Sequence, residues 1–298
     1  MAKQDREYEY SMNKKKSIIF IADFLVDDPQ RGGAELHDNI VIEHFKSTGA
    51  LHEVKKTPEV TIEYVKTNRD KFWFISNFNF LHNRVKAYLS KHCKYVIYEH
   101  DYKFCKERNP INFKDFKVPE SSKMNVNFFR AAKKVICLSK LHFNIFNKNL
   151  DIQNLVSIKC SMWGDEELEF MKSLQSVPKK QDVCAIIESY NPIKKTIEAK
   201  NFCKANGLKY DLIKSPDYRE FLKLLAQYEK LVFMTGHPEP TPRIAIEAKI
   251  LNCSLITQKE LIGVTYEDYF HLTGVGMIEK VKVMRDEALQ QIEEWIYE

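Results

Sequence analysis

The chain has 298 residues, of which 44% are apolar, 12% aromatic and 29% charged, with a formal net charge of +5. That length suits one large or two ordinary domains, and the apolar content supports packed cores, which excludes a disordered chain. Charges of both signs are interspersed, so the small positive excess suits a phosphate-bearing ligand and not a basic stripe for nucleic acid; no nucleic-acid partner is expected.

Residues 1–16 are polar, end in Lys14-Lys15-Lys16 and read as a flexible leader without the apolar core of a signal peptide. Three lysines are a weak anchor, so peripheral membrane contact is the most they allow. No run approaches the ~20 apolar residues that span a bilayer. Strand patterns then alternate with helical ones. Strands are expected at Ser17–Ala22, Phe72–Ser76, Tyr95–Tyr98 and Val135–Leu138. Helices are expected at Ala34–Lys46, Asn83–Lys91, Met124–Lys133 and Leu141–Asn147. A second series has strands at Val183–Ile187, Tyr210–Ile213, Leu231–Met234 and Ser254–Thr257, with helices at Lys195–Ala205, Tyr218–Tyr228 and Arg243–Leu251. Short β-branched and aromatic strands joined by helical crossovers predict an α/β fold with parallel sheets covered on both faces.

The series breaks between Ser161 and Lys180, which reads as an interdomain linker. The expected division is therefore a domain over 17–165, a linker over 166–180 and a domain over 181–285. A last helix is expected at Asp286–Tyr297, within 286–298. The alternative is one doubly wound domain with an accessory lobe. Seven scattered cysteines, odd in number and without a CxxC, read as reduced thiols in a cytoplasmic protein.

The densest information lies at His237-Pro238-Glu239-Pro240-Thr241-Pro242-Arg243-Ile244-Ala245-Ile246-Glu247-Ala248. The segment follows an apolar strand and opens a helix, with Thr241 expected as N-cap and Pro242 as the first helical residue. Ile244, Ala248 and Leu251 form an apolar stripe that Glu247 shares, and a carboxylate on a buried face must be paired or bind something. Glu239 sits at the strand-to-helix turn, where open α/β sheets place ligands. Two acids in these places suggest a site for a polyhydroxylated ligand. After the first strand, Arg31-Gly32-Gly33-Ala34-Glu35 opens a helix; adjacent glycines allow close backbone approach, and the helix N-terminus attracts anions. After another strand comes Tyr98-Glu99-His100-Asp101-Tyr102, with His100 aimed at the same end of the sheet. Glu99, His100, Asp101 and Cys105 match no zinc spacing, so no metal is assigned. The chain lacks GxGxxG and GxxxxGK[ST], which argues against a nicotinamide cofactor and a P-loop, and it lacks the GxSxG of an α/β-hydrolase.

Glu239-Pro240-Thr241-Pro242-Arg243-Ile244-Ala245-Ile246-Glu247-Ala248 resembles the E-x7-E motif of retaining GT-B glycosyltransferases, closest to glycosyltransferase family 4, whose local consensus is roughly E-P-F-G-R-x-x-I-E-A. Gly32-Gly33-Ala34-Glu35 is similar to a G-G-A-E segment common in that family, and His100-Asp101 to an H-D pair at the donor-sugar pocket. Ser189-Tyr190-Asn191-Pro192-Ile193-Lys194-Lys195 is similar to the family's G-R-x-x-x-x-K-G, with Lys194 on the lysine. It departs in Ser189, where arginine is expected, and in Lys195, where glycine is expected.

The resemblance implies the GT-B architecture: two Rossmann-like domains whose parallel sheets face each other across a cleft. It implies transfer of a sugar from a nucleoside-diphosphate donor, UDP- or GDP-type, to a hydroxyl of a glycan, lipid-linked or small-molecule acceptor, with retention and without a cofactor. Glu239, His100 and Lys194 would act at the reacting sugar and leaving group. Gly32, Gly33, Lys194, Lys195, Thr241, Pro242, Arg243 and Glu247 would bind the donor, with Glu247 on the ribose and Glu239 on the transferred sugar. No D-x-D occurs, which suits metal-independent chemistry, where helix dipoles and basic side chains replace a cation. Ser215-Pro216-Asp217-Tyr218 is placed near the base by position alone, and Lys103–Glu120 reads as an acceptor loop. The Ser189 departure leaves a rival reading, a GT-B-like protein that binds nucleotide or sugar without turnover. A sugar epimerase or phosphorylase of related shape is the more distant one.

Overall fold

The structure is a computed structural model that describes residues 17–29 and 32–298. The expected leader and Arg31 of the glycine turn lie outside the described residues. Two all-parallel sheets form the frame, one of six strands in the order β2-β1-β3-β4-β5-β6 and one of four in the order β10-β9-β7-β8. The first holds β1 (Ile18–Ala22), β2 (Leu51–Lys56), β3 (Phe72–Ile75), β4 (Lys94–Tyr98), β5 (Lys134–Cys137) and β6 (Leu155–Ser157). The second holds β7 (Lys180–Ile187), β8 (Lys209–Ile213), β9 (Tyr228–Phe233) and β10 (Ser254–Thr257). β1 and β3 are buried at every position, as central parallel strands covered on both faces must be. β2 is a strand that the sequence pattern does not announce. Leu51-His52-Glu53-Val54-Lys55-Lys56 is polar because it lies at the edge, and edge lysines discourage further pairing.

The crossover helices are α1 (Gly33–Ser47), α2 (Ile62–Thr67), α3 (Asn83–His92), α4 (Val126–Ala131) and α5 (Lys140–Asn149) in the first half. α6 (Asp165–Ser173) follows the crossing between halves, and α7 (Thr196–Ala205), α8 (Tyr218–Ala226), α9 (Arg243–Ile250) and α10 (Gly274–Tyr297) complete the second. In both sheets the chain order reverses beside the first strand of the half, between β1 and β3 and between β7 and β9. These two switch points open crevices at the carboxyl ends of the strands.

Three expectations differ from the structure. The stretch 166–180, read as linker, carries α6 and reaches β7. Its first turn is Asp165-Glu166-Glu167, acids that favour a helix N-terminus but give a weak apolar signal, since Leu168 and Met171 alone are buried there. The last helix begins at Gly274 rather than Asp286, and its buried stripe runs from Met277 to Ile296. Gly274 has φ of 54°, and a Cβ there would stand 2.8 Å from Asn252 Oδ1, so glycine starts the helix by necessity. Third, α8 stops at Ala226 and β9 starts at Tyr228, so the helix expected to include Tyr228 is shorter and the strand longer. Along α10, Arg285 Nη1 donates to the Trp163 carbonyl (3.0 Å), and Glu293 pairs with His44 of α1 (3.1 Å), so the helix ties the second half to the first. Among the described residues no helix is long and apolar enough to cross a membrane.

Candidate active site

The carboxyl ends of both sheets open on one cleft of about 1200 Å³. From the first half it is lined by Gly32 and Gly33, Asn77 after β3, and His100, Asp101 and Arg108 after β4. From the second it is lined by Glu188 and Ser189 after β7, Lys214 after β8, and Glu239 to Ile244 with Glu247 after β9. Of the expected site residues, Gly32, Gly33, His100, Lys194, Glu239, Thr241, Pro242, Arg243 and Glu247 meet here. Lys195 does not line the cleft; its left-handed backbone (φ 49°) turns the side chain to Glu198, 2.7 Å away at the surface.

The β9–α9 turn is held from outside. Glu239 N–H donates to the Leu261 carbonyl (2.8 Å), and Gly263 N–H donates to the Glu239 carbonyl (2.8 Å). A Cβ on Gly263 would stand 1.9 Å from the Pro240 carbonyl oxygen, so the turn and residue 263 share a space that admits only glycine. Lys194 Nζ donates to Glu239 Oε1 (3.1 Å), and His237 Nε2 lies 3.7 Å from the same oxygen. Burial pushes the Glu239 carboxyl up, but Lys194 and His237 outweigh it and hold the group below its ordinary range. Glu239 is therefore an anion in the cleft wall, suited to accept from paired hydroxyls.

Glu247 is buried on the stripe of α9, as its spacing predicts, and its Oε1 gathers three groups. Trp163 Nε1 donates at 3.1 Å, the Tyr218 hydroxyl donates at 2.6 Å, and Arg243 Nε stands 3.4 Å away. Arg243 stacks over Trp163, 4.5 Å from its centroid, and donates to the Met162 carbonyl and, at 3.1 Å, to Tyr218. The Gly33 position faces Arg243 from the other domain, where an added Cβ would lie 3.4 Å from the arginine Cδ. Two details of the expected helix start change. Pro242 occupies the cap position and Arg243 the first helical one, and among the described residues the buried Thr241 hydroxyl finds no partner. Gly32 N–H already donates to Glu35 Oε2 (2.6 Å), so on this wall that glycine offers closeness of approach rather than a vacant donor.

The facing wall is built around α1. Asp38 Oδ1 accepts from His100 Nε2 (2.9 Å) and from Ser76 Oγ (2.7 Å). Because a carboxylate only accepts, Nε2 of His100 carries the proton that it donates to Asp38, and Nδ1 is the nitrogen left to face other groups. Next to it, His37 accepts the Met162 N–H at Nε2 (3.1 Å) and gives its Nδ1 proton to the Tyr98 hydroxyl (3.1 Å). Burial, then the nearby His100 and Arg243, hold His37 well below the usual imidazole range, so it is a neutral structural bridge. The Met162 peptide thus joins His37 of one half to Arg243 of the other. Under this wall Lys103, fully buried, ion-pairs with Glu99 (2.6 Å) and Asp101 (2.9 Å), and Arg108 closes on Asp101.

Asp38, Ser76 and the adjacent Met162 and Trp163 come from distant parts of the chain, and no local pattern marks them as one site. Trp163 alone carried a signal, an indole within a stretch otherwise read as linker. Among the described residues no group of three or more His, Cys, Asp or Glu side chains is placed to hold a metal ion.

No family model matches the sequence, and no curated protein matches it. The fold has clear likenesses among solved structures. Anabaena Alr3699/HepE, in complex with UDP and glucose, superposes over 94% of this chain and 98% of its own with a TM-score of 0.51 at 14% identity. An alpha,alpha-trehalose-phosphate synthase (UDP-forming) from Burkholderia vietnamiensis covers 95% of this chain and 96% of its own, with a TM-score of 0.56 at 7% identity. The catalytic domain of Starch Synthase IV from Arabidopsis thaliana, bound to ADP and acarbose, covers 95% and 94%, with a TM-score of 0.50 at 9% identity. With its two parallel sheets meeting at one cleft, the chain has the GT-B fold that these proteins share.

Proposed function

We propose that the protein is a glycosyltransferase that moves a sugar from a UDP- or GDP-type nucleoside-diphosphate donor to an acceptor hydroxyl, with retention and without a metal. The observation that carries this reading is the pair of glutamates on one turn and helix at the switch point of the second sheet. Glu239 is an anion beside Lys194, and Glu247 is held by Trp163, Tyr218 and Arg243. In this reading Glu247 and its partners receive the ribose, and Glu239 receives hydroxyls of the transferred sugar. Lys194, Arg243 and the N-terminus of α9 face the departing phosphate charge. Gly32 and Gly33 let the donor approach the first domain closely, and His100, held by Asp38, accepts a hydrogen bond from a sugar or acceptor hydroxyl. The proteins of like fold solved with UDP or ADP support a nucleotide in this cleft. A cytoplasmic setting, in which the seven thiols stay reduced, accompanies this reading.

A thermal-shift panel with UDP, GDP, ADP, CMP and their sugar conjugates, with and without divalent metal, tests it first. A raised midpoint with one diphosphate, unchanged by metal, is the expected result; no shift with any of them would end the reading. Donor turnover, followed by the anomeric configuration of the product, then separates an enzyme that retains from one that inverts. Ser189, which brings no positive charge to the end of β7, favours the rival of a binding protein without turnover. A donor that binds and is never consumed would establish that rival.

A further inference from the structure

We propose that Lys214 supplies a positive charge for the donor diphosphate at the end of β7, where Ser189 brings none. The inference rests on the nucleotide-sugar reading above. Among the described residues five cationic side chains line the cleft: Arg108, Lys194, Lys214, Arg219 and Arg243. Four are engaged by carboxylates. Arg108 is held by Asp101, Lys194 by Glu239, Arg219 by Glu166 and Arg243 by Glu247. Among the described residues Lys214 alone has no carboxylate partner. Its ammonium instead lies over the ring of Tyr190, 4.8 Å from the centroid.

The position follows from the sheet. Ile213 is the register partner of Ile187, so Lys214 leaves β8 beside Glu188, and its neighbour Ser215 lies level with Ser189. From there the side chain leans over the loop that carries Ser189, Tyr190 and Lys194. Ser189 itself is turned to its own loop, with Oγ accepting from Asn191 N–H at 3.1 Å. An entering diphosphate must compete with Glu239 for Lys194 and with Glu247 for Arg243. Among the described residues it meets no such competitor at Lys214, whose ammonium is free to form a charge-assisted contact with it. A cation just past the neighbouring strand thus stands over the start of the loop, where Ser189 brings none.

The experiment measures affinity for UDP, GDP and ADP and for the matching nucleosides by calorimetry, for wild type, Lys214→Gln and Lys214→Arg. Unliganded melting should be unchanged, because Lys214 is exposed and forms no hydrogen bond to the described residues. The expected result is a roughly ten- to hundredfold weaker diphosphate in Lys214→Gln, an unchanged nucleoside, recovery in Lys214→Arg and a shallower salt dependence. Diphosphate binding equal to wild type in Lys214→Gln would overturn the role of Lys214 and leave the nucleotide site standing. Equal weakening of nucleoside and diphosphate would overturn it too, by placing the lysine at the base or ribose. Wild-type protein that binds none of the three diphosphates would overturn the nucleotide reading and this inference with it.

Discussion

The two walls of the cleft solve the problem of burying charge in opposite ways. On the second-domain wall each carboxylate of the site meets a cation directly: Glu239 meets Lys194, and Glu247 meets Arg243. On the first-half wall Asp38 meets a hydroxyl and an imidazole, Ser76 and His100, and underneath Glu99 and Asp101 are met by Lys103 and Arg108. The first arrangement is a charged surface whose ion pairs a polar ligand can enter and rearrange. The second holds Asp38 with a hydroxyl and an imidazole and keeps the ion pair of Arg108 with Asp101 beside them. A cleft that must hold a charged donor on one side and an uncharged hydroxyl on the other would be built this way.

The largest effect should come from the charged wall. Glu247→Ala would leave Arg243 buried without its carboxylate and should lower the unfolding free energy by about 3–5 kcal/mol. Denaturant titration measures this, and a loss below about 1 kcal/mol would mean that Trp163 and Tyr218, not the ion pair, hold the helix. Glu239→Ala should instead spare stability and nucleotide affinity and cut donor turnover roughly a hundredfold, about 2.7 kcal/mol. Loss of UDP binding as large as the loss of turnover would merge the two glutamates into one role.

Acid should act on the other wall first. His37 and His142 are both buried and neutral; burial pushes His142 down to about 3, against its hydrogen bond to the Asp101 carbonyl. Their folded pKa values lie below the unfolded value of about 6.5, so the unfolded chain binds the extra protons as pH falls. Stability is then fully present above about pH 6.5 and is lost below it, by up to about 1.4 kcal/mol per pH unit for each histidine. A pH series of unfolding free energies should show this slope between pH 6 and 4, and His142→Asn should make it shallower.

A smaller effect is expected for Asp38→Asn, which keeps the shape but permits the wrong His100 tautomer. Turnover should fall about tenfold, with a shifted pH profile and little change in UDP affinity. An unchanged profile would reduce Asp38 to a packing role. The smallest effect belongs to Lys195→Gln. Its exposed pair with Glu198 should contribute no more than about 0.5 kcal/mol, and UDP affinity should not change, whereas Lys194→Gln should weaken both UDP binding and turnover.

The charged wall was largely legible in the residues because one contiguous stretch builds it. Strand, turn and helix from Leu231 to Leu251 place Glu239 and Glu247 by local geometry alone, and the apolar stripe of α9 reveals that Glu247 is buried. The wall around Asp38 was not legible. Asp38 on α1, Ser76 after β3 and His100 after β4 are brought together by the parallel order of the first sheet, and nothing local marks them as neighbours.

Sequence periodicity by itself determined the alternating α/β class, the two series of strands and the place of the E-x7-E turn. Each of these depends on contacts within about twenty residues. Tertiary structure decided the rest. It turned the expected linker into α6 and the Met162–Trp163 strap, started the last helix at Gly274 and aimed Lys195 away from the cleft beside Lys194. It also left Lys214 as the lining cation without a carboxylate among the described residues. Those outcomes depend on which groups meet across the cleft, and pairing across a distance leaves no period in the chain.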